Sequence, residues 1–204
     1  RLRHRTAKSG SGLGTDGPGA DGFLRCGAGP LPAGSGCGGA SQYSQSLSAD
    51  GACANAGACR DGGGLSADAA KEGLDIYIGS SYRDYAYQVE VYQSYVDLYG
   101  WETADTFSAR PGYSEHQSGY TIDCNTIDDA FGETQESDWL AKHCAEYGFI
   151  VRFPEGKEAI TGYKYEPWHI RYVGKDVAKE ITALGVTLEE YLGVNSAYTS
   201  DWQG

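Results

Sequence analysis

The apolar and polar positions carry no helical or strand period before about residue 64 and a clear one after it. Ser66 reads as the N-cap of a short helix through Lys71 and Glu72, closed by Gly73. Leu74-Asp75-Ile76-Tyr77-Ile78 alternates as a half-buried strand does. Ser80-Ser81-Tyr82-Arg83-Asp84 is a turn into a long helix, in which Tyr87, Val91, Tyr95 and Leu98 recur every three or four positions. Gly100 ends it. Residues 101–119 read as loop, with Pro111-Gly112 marking a turn. Tyr120 to Cys124 predicts a short strand. Asp138 to Tyr147 predicts a helix with Trp139, Leu140 and Cys144 on one face, closed by Gly148. Phe149-Ile150-Val151 follows as a strand, and 154–165 as a charged loop. Trp168 to Val173 predicts another strand, before a helix from Asp176 to Leu184. Thr187 and Glu190 form a capping box that opens the last helix. Strands and helices alternate without a Gly-rich phosphate loop or a regular βαβ rhythm. The pattern predicts an α+β domain, a small antiparallel sheet flanked by helices.

Composition sharpens the boundary. Residues 1–64 hold 17 of the 30 glycines, have Phe23 and Tyr43 as their only aromatics, and contain no Val or Ile. A segment so poor in large apolar side chains cannot offset the entropy of ordering its backbone. Residues 1–64 therefore read as a non-globular tail and 65–204 as the folded domain. The tail's Gly, Ala, Ser, Arg and Cys bias also matches a GC-rich gene translated in the wrong frame. The tail has six Lys/Arg against four Asp/Glu, whereas the domain has 10 against 24. So acidic a domain is unsuited to nucleic acid or to an anionic membrane surface. No run reaches the length of a transmembrane helix. The chain begins with Arg and contains no Met, so the expectation is that any signal peptide or anchor lies outside it. Cys26, Cys37, Cys53 and Cys59 form no CxxC pair and have no His beside them, which weakens a zinc-finger reading. Cys124 and Cys144 are expected as buried thiols rather than a disulfide.

Candidate chemistry concentrates in two places. A hydrolytic zinc site needs three protein ligands and a fourth position for water. His116 lies in Ser114-Glu115-His116-Gln117-Ser118-Gly119-Tyr120-Thr121-Ile122-Asp123, where Gly119 lets the backbone turn so that His116 and Asp123 converge. His169 lies in Glu166-Pro167-Trp168-His169, where Pro167 holds Glu166 extended. Each motif alone has an ordinary reading, a surface loop His and a Trp-His packing pair. Together they supply the His, Asp, Glu and His that metal-assisted hydrolysis requires. His143, beside Lys142 on a predicted helix, reads as solvated, and His4 lies in the tail.

These landmarks, Ser81-Tyr82-Arg83, then Ser114-x-His116-x-x-Gly119-x-x-x-Asp123, then Glu166-x-Trp168-His169, resemble the VanY-type D-alanyl-D-alanine carboxypeptidases. That family belongs to the wider group of zinc D,D-peptidases with the hedgehog/DD-peptidase fold, and the resemblance runs from about Gly79 to Gly174. It implies zinc on His116, Asp123 and His169, with Glu166 as catalytic base and Arg83 stabilising the developing oxyanion. Gln88 and Ser114 are assigned to the same cleft, as holders of the substrate backbone or its terminal carboxylate; a helix-surface Gln and a loop-capping Ser are the ordinary alternatives. The resemblance implies zinc-dependent hydrolysis of peptidoglycan stem peptides with release of the terminal D-alanine, by a monomer acting outside the cell or in its envelope. An endopeptidase of the same family is the nearest rival. A zinc-binding recognition module without catalysis is the other, and Glu166 and Arg83 argue against it. Tyr120, Thr121 and Cys124 stand where small or aliphatic residues are expected, and the helix-rich segment that family members carry before Ser-Tyr-Arg reads as mostly absent.

Overall fold

A computed structural model describes residues 55–195 of the protein. Its first helix, α1, spans Ala56–Lys71 and so begins inside the compositional tail. The expected boundary after residue 64 is thereby corrected: residues 56–64 are part of the folded domain, and the expected gap before Ser81 is filled by a helix. Readings made for residues 1–54 lie outside the described residues. The helix escapes a hydropathy reading because its buried face is built of small residues. Ala58, Gly62, Leu65 and Ala69 fall on one stripe at helical spacing. Ser66 is interior; the N-cap is Asn55, whose Oδ1 accepts from the Gly57 and Ala58 N–H groups at 2.9 and 3.0 Å. Gly62 permits close approach to the sheet, since a Cβ there would lie 3.0 Å from Ile122 Cδ1.

Four strands, β1 (Ile78–Ser80), β2 (Thr121–Cys124), β3 (Phe149–Phe153) and β4 (Glu166–Tyr172), form one antiparallel sheet in the order β1-β2-β4-β3. The expected α+β class holds. The strand expected from Leu74 starts only at Ile78, because a side chain meets the backbone before it. Asn125 accepts from the Tyr77 N–H at 3.1 Å and donates to the Asp75 carbonyl at 2.7 Å.

Strand alternation sorts the sheet into an apolar and a charged face. Ile122, Cys124, Phe149, Val151, Trp168, Ile170 and Tyr172 pack with Leu65 and Ala69 of α1, and with Trp139 and Leu140 of α4 (Gln135–His143). Thr121, Asp123, His169, Arg171 and Arg152 occupy the alternate positions. Ile150 shares that parity and packs into a second cluster with α6 (Lys175–Leu184) and α7 (Leu188–Leu192) through Ala178, Ile181 and Leu188. Cys124 and Cys144 are buried free thiols, as expected.

The long helix, α2, runs Tyr85–Tyr99 and ends at Gly100 as expected, but its inner face is Gln88, Tyr92 and Tyr95. Tyr87 and Leu98, expected inside, are 42% and 55% exposed. The periodic reading is misled because the inner face carries a glutamine and the outer face carries tyrosines. The expected loops contain short helices, α3 (Trp101–Ala104), a 3-10 turn at Glu115–Ser118, and α5 (Glu158–Thr161). The Thr187–Glu190 capping box is present on α7.

Two glycines give opposite expectations. Gly64 is interior to α1, and an added Cβ would meet Tyr147 at an ordinary 3.6 Å. Gly64→Ala should raise stability by about 0.5–1 kcal/mol. At Gly79 a Cβ would lie 2.4 Å from the Asn125 carbonyl oxygen, so Gly79→Ala should cost roughly 1–3 kcal/mol. Thermal unfolding of the two variants should move in opposite directions, and a parallel shift would contradict the packing described.

Candidate functional site

The β2–β4 pairing sets Asp123 directly opposite His169. The 3-10 turn before β2 brings in His116, and Gly119, at φ 72°, reverses the chain between them. His116 Nε2 lies 3.2 Å from Asp123 Oδ2, and His169 Nδ1 lies 3.2 Å from Asp123 Oδ1. All three side chains are fully buried. Among the described residues these nitrogens and both Asp123 oxygens have no hydrogen-bond partner, which is costly unless something else satisfies them.

A metal ion would do so. One ligand atom from each residue falls within 4.8 Å of the others. Tetrahedral zinc with bonds of ~2.0–2.2 Å separates its ligand atoms by about 3.4 Å, and each imidazole nitrogen lies 3.2 Å from a different oxygen of Asp123. Tautomers fit too. His116 Nδ1 faces the Ser81 carbonyl, which can only accept, so the N–H is on Nδ1 and the lone pair of Nε2 is available. Two imidazoles and one carboxylate would leave a divalent ion with one net positive charge.

Glu166 also arrives on this side, although it is three residues from His169 and regular alternation would put it on the opposite face. Val151 pairs with Ile170 and Phe153 with Glu166, so two steps along β3 match four along β4. This irregularity, which contains Pro167, carries the buried Glu166 to 3.4 Å from His169 Nδ1. Arg83 Nη2 lies 3.9 Å from Asp123 Oδ2. Gln88 is not the helix-surface residue of the ordinary reading, being fully buried with both ends of its amide engaged. Its Oε1 accepts from Arg83 Nη1 at 2.8 Å, and its Nε2 donates to the Ala109 carbonyl at 2.7 Å. Ser114 is buried, with an Oγ that has no hydrogen-bond partner among the described residues. His143 stands apart, half-exposed and stacked on Trp139, as its solvated reading expected.

Sequence reasoning passed over a second group beside these residues. Glu115, Arg152 and Glu189 are fully buried, and Arg171 nearly so. Arg152 Nε donates to Glu115 Oε1 at 3.0 Å, and Glu115 Oε2 lies 3.7 Å from His169 Nε2. The available signal was Arg152 itself, a charge inside the apolar strand Phe149–Phe153. Tyr95, buried on α2, is the other omission. Burial raises its hydroxyl pKa, and Glu166 and Asp123 push the same way while Arg83 opposes.

The electrostatics separate the two imidazoles. Burial pulls His116 down, so it is neutral and ready to coordinate. Burial also pulls on His169, but Asp123, Glu115 and Glu166 outweigh it and push the imidazole up to about 9. Burial raises the Asp123 carboxyl, and the His116 and His169 rings more than reverse this, holding it below the usual carboxylate range. Burial likewise opposes ionisation of Glu115, and Arg171 and Arg152 more than reverse it.

Comparison with known proteins gives a consistent picture. Residues 55–175 match the family model described as VanY, D-alanyl-D-alanine carboxypeptidase. The chain is 37% identical over 126 residues to a D-alanyl-D-alanine carboxypeptidase of Enterococcus faecium, a match covering 61% of this chain and 39% of that one. The matched stretch spans about half the length of other curated relatives. Among solved structures, the L,D-carboxypeptidase DacB from Streptococcus pneumoniae is 41% identical, with a TM-score of 0.64 and 72% and 80% of the two chains covered. A variant of the vancomycin-resistance D,D-pentapeptidase VanY, solved with Zn(II), is 31% identical, with a TM-score of 0.65 and coverage of 83% and 98%.

The charge balance predicts how the metal-free protein responds to pH. His169, raised from 6.5 to about 9, contributes stability that is complete below pH 6.5 and is lost as pH rises through about 9. Asp123 and Glu115, held low, contribute stability that is present above the ordinary carboxylate range and is lost in acid. Urea unfolding of chelator-treated protein should therefore show a lower midpoint at pH 9 than at pH 6. Equal midpoints would contradict the charge state assigned to His169.

Proposed function

The chain belongs to the VanY family of D-alanyl-D-alanine carboxypeptidases, and from that premise we propose that it is a zinc-dependent carboxypeptidase that releases the terminal D-alanine from peptidoglycan stem peptides. The observation that carries the reading is the buried ligand set His116, Asp123 and His169, with one ligand atom from each within 4.8 Å of the others and Glu166 beside it. The residues fit the metal. When bound, zinc supplies a Lewis acid that brings the pKa of a coordinated water toward ~7 and polarises the scissile carbonyl.

The chain's own residues do the rest. Glu166 takes the attacking water's proton and passes it to the leaving amine. Arg83 faces the negative charge that grows on the carbonyl oxygen, where one such donor is worth about 3 kcal/mol. Gln88 fixes the guanidinium rather than meeting substrate itself. Ser114 Oγ is the group left to bind the substrate backbone or its terminal carboxylate. A cell-wall substrate implies work outside the cell or in its envelope. No described helix is long and apolar enough to cross a membrane.

A second reading concerns which bond is cut. The L,D-carboxypeptidase DacB is 41% identical to this chain and the D,D-pentapeptidase VanY 31%. With a D-alanyl-D-alanine carboxypeptidase at 37%, a tetrapeptide whose terminal D-alanine follows an L-centre stands as a second candidate substrate beside the pentapeptide. Mass spectrometry of zinc-loaded protein with a pentapeptide ending in D-Ala-D-Ala and with the matching tetrapeptide separates the two. Loss of D-alanine from either free acid, and not from its C-terminal amide, supports a carboxypeptidase, and the faster peptide assigns the bond. Cleavage at an internal bond, or equal rates on acid and amide, would establish the endopeptidase instead.

Variants separate the roles. Glu166→Ala should retain zinc by atomic absorption yet lose roughly 10²–10⁴-fold in turnover. His169→Ala should lose zinc and activity together. Arg83→Lys should recover only part of the activity lost in Arg83→Ala, because a point charge lacks the planar fork.

A further inference from the structure

We infer that Glu189, on α7, is a positioning residue for the metal centre, acting through Arg152 and Glu115 on the ring of His169. The inference rests on the zinc-binding reading above. Arg152 offers a bidentate pair to Glu189, Nη1 to Oε2 at 3.0 Å and Nη2 to Oε1 at 2.5 Å. Its remaining edge donates from Nε to Glu115 Oε1 at 3.0 Å. Arg171 Nη1 lies 3.3 Å from that same oxygen. Both cations therefore meet Glu115 at Oε1, leaving Oε2 turned toward Thr121 Oγ1 at 3.3 Å and His169 Nε2 at 3.7 Å.

The orientation has a chemical consequence. At 3.7 Å the Glu115 carboxylate is not hydrogen-bonded to Nε2, but its charge favours the imidazole proton on that nitrogen and so a lone pair on Nδ1, the atom that faces Asp123 and Glu166. A ring turned over would direct its N–H into the metal position. Glu115 can enforce this only while its own plane is fixed, and Arg152 fixes it only while Glu189 holds the guanidinium. Two carboxylates and two guanidiniums balance in charge, but burying them is costly, and well-packed apolar residues stabilise a core at least as well. What ions supply at this place is direction. Glu189 also lies beyond residue 175, where the family match ends, so the contact draws α7 into a site whose other parts all precede it.

The test uses the whole chain and reads the metal as well as the reaction. Zinc affinity is measured by chelator competition, and ligand geometry by the visible absorption of the Co(II)-substituted protein. Glu115→Gln should weaken zinc roughly 10- to 100-fold, the range expected when a partner of a metal-bound histidine is lost. Glu189→Gln should weaken it about 10-fold and shift the Co(II) spectrum the same way. In the Glu115→Gln background, Glu189→Gln should add nothing. A folded Glu189→Gln protein with wild-type zinc affinity and an unchanged Co(II) spectrum overturns the inference, as does an equal further loss in the double variant. Should Glu189→Gln not fold, the apolar pair Arg152→Leu with Glu189→Met replaces it. Weakened zinc binding by that folded protein supports the inference, and wild-type affinity overturns it. Failure of the wild-type chain to bind zinc would instead remove the zinc reading itself, and this inference with it.

Discussion

The register between β2 and β4 is the constraint on which the rest of the molecule depends. It sets Asp123 across from His169, and a slip of one residue would turn one strand over relative to the other and put Asp123 and His169 on opposite faces of the sheet. The core guards against that slip, because the alternate positions of both strands are filled by large side chains packed under α1 and α4. Function and stability are thus written on opposite sides of the same strands. The apolar face cannot be satisfied in any register that disturbs the charged one.

Much of this was legible in the residues. The spacing from His116 to Asp123 and the pair Glu166 and His169 carry chemistry that few other residues could supply, and the structure brings them together. What stayed hidden did so for physical reasons. In α1, Ala58 and Gly62 bury little area each, so their periodicity is nearly silent on a hydropathy scale although their packing against the sheet is tight. In α2 the inner face was read only in part, since Tyr95 is inside as expected, but tyrosine is both apolar and content in water, and Tyr87 lies outside while the polar Gln88 lies inside. Glu115, Arg152 and Glu189 are far apart in sequence, and nothing in a one-dimensional pattern says that three charges will share one dry interior. Glu166 could be named, but not the strand irregularity that turns it toward His169.

The buried ions and the overall acidity of the domain belong to different accounts. The excess of Asp and Glu is spread over the outside, as in the exposed pairs Lys71–Asp68 and Lys164–Asp129, and such pairs contribute little. Inside, each carboxylate has a specified neighbour, and that neighbour decides its role. Asp123 meets two imidazoles, Glu115 meets two guanidiniums and an imidazole, and Glu166 sits next to His169. Side chains with the same ionisable group are distinguished wholly by where the backbone delivers them.

The order of strands in the sheet, β1-β2-β4-β3, also shapes how the molecule comes into being. Of the described strands, the last in the chain is an inner one. Until residues 166–172 leave the ribosome, β2 and β3 have no strand between them and each presents a bare hydrogen-bonding edge. The sheet therefore closes late, when β4 inserts and pairs with β2 through residues 169–171 and with β3 through Glu166 and residues 170–172. A nascent chain that stalls before that point holds Asp123 without the histidine across from it. Such a chain also lacks α6 and α7, so the ligand set and the second apolar cluster are finished only by residues that follow β3.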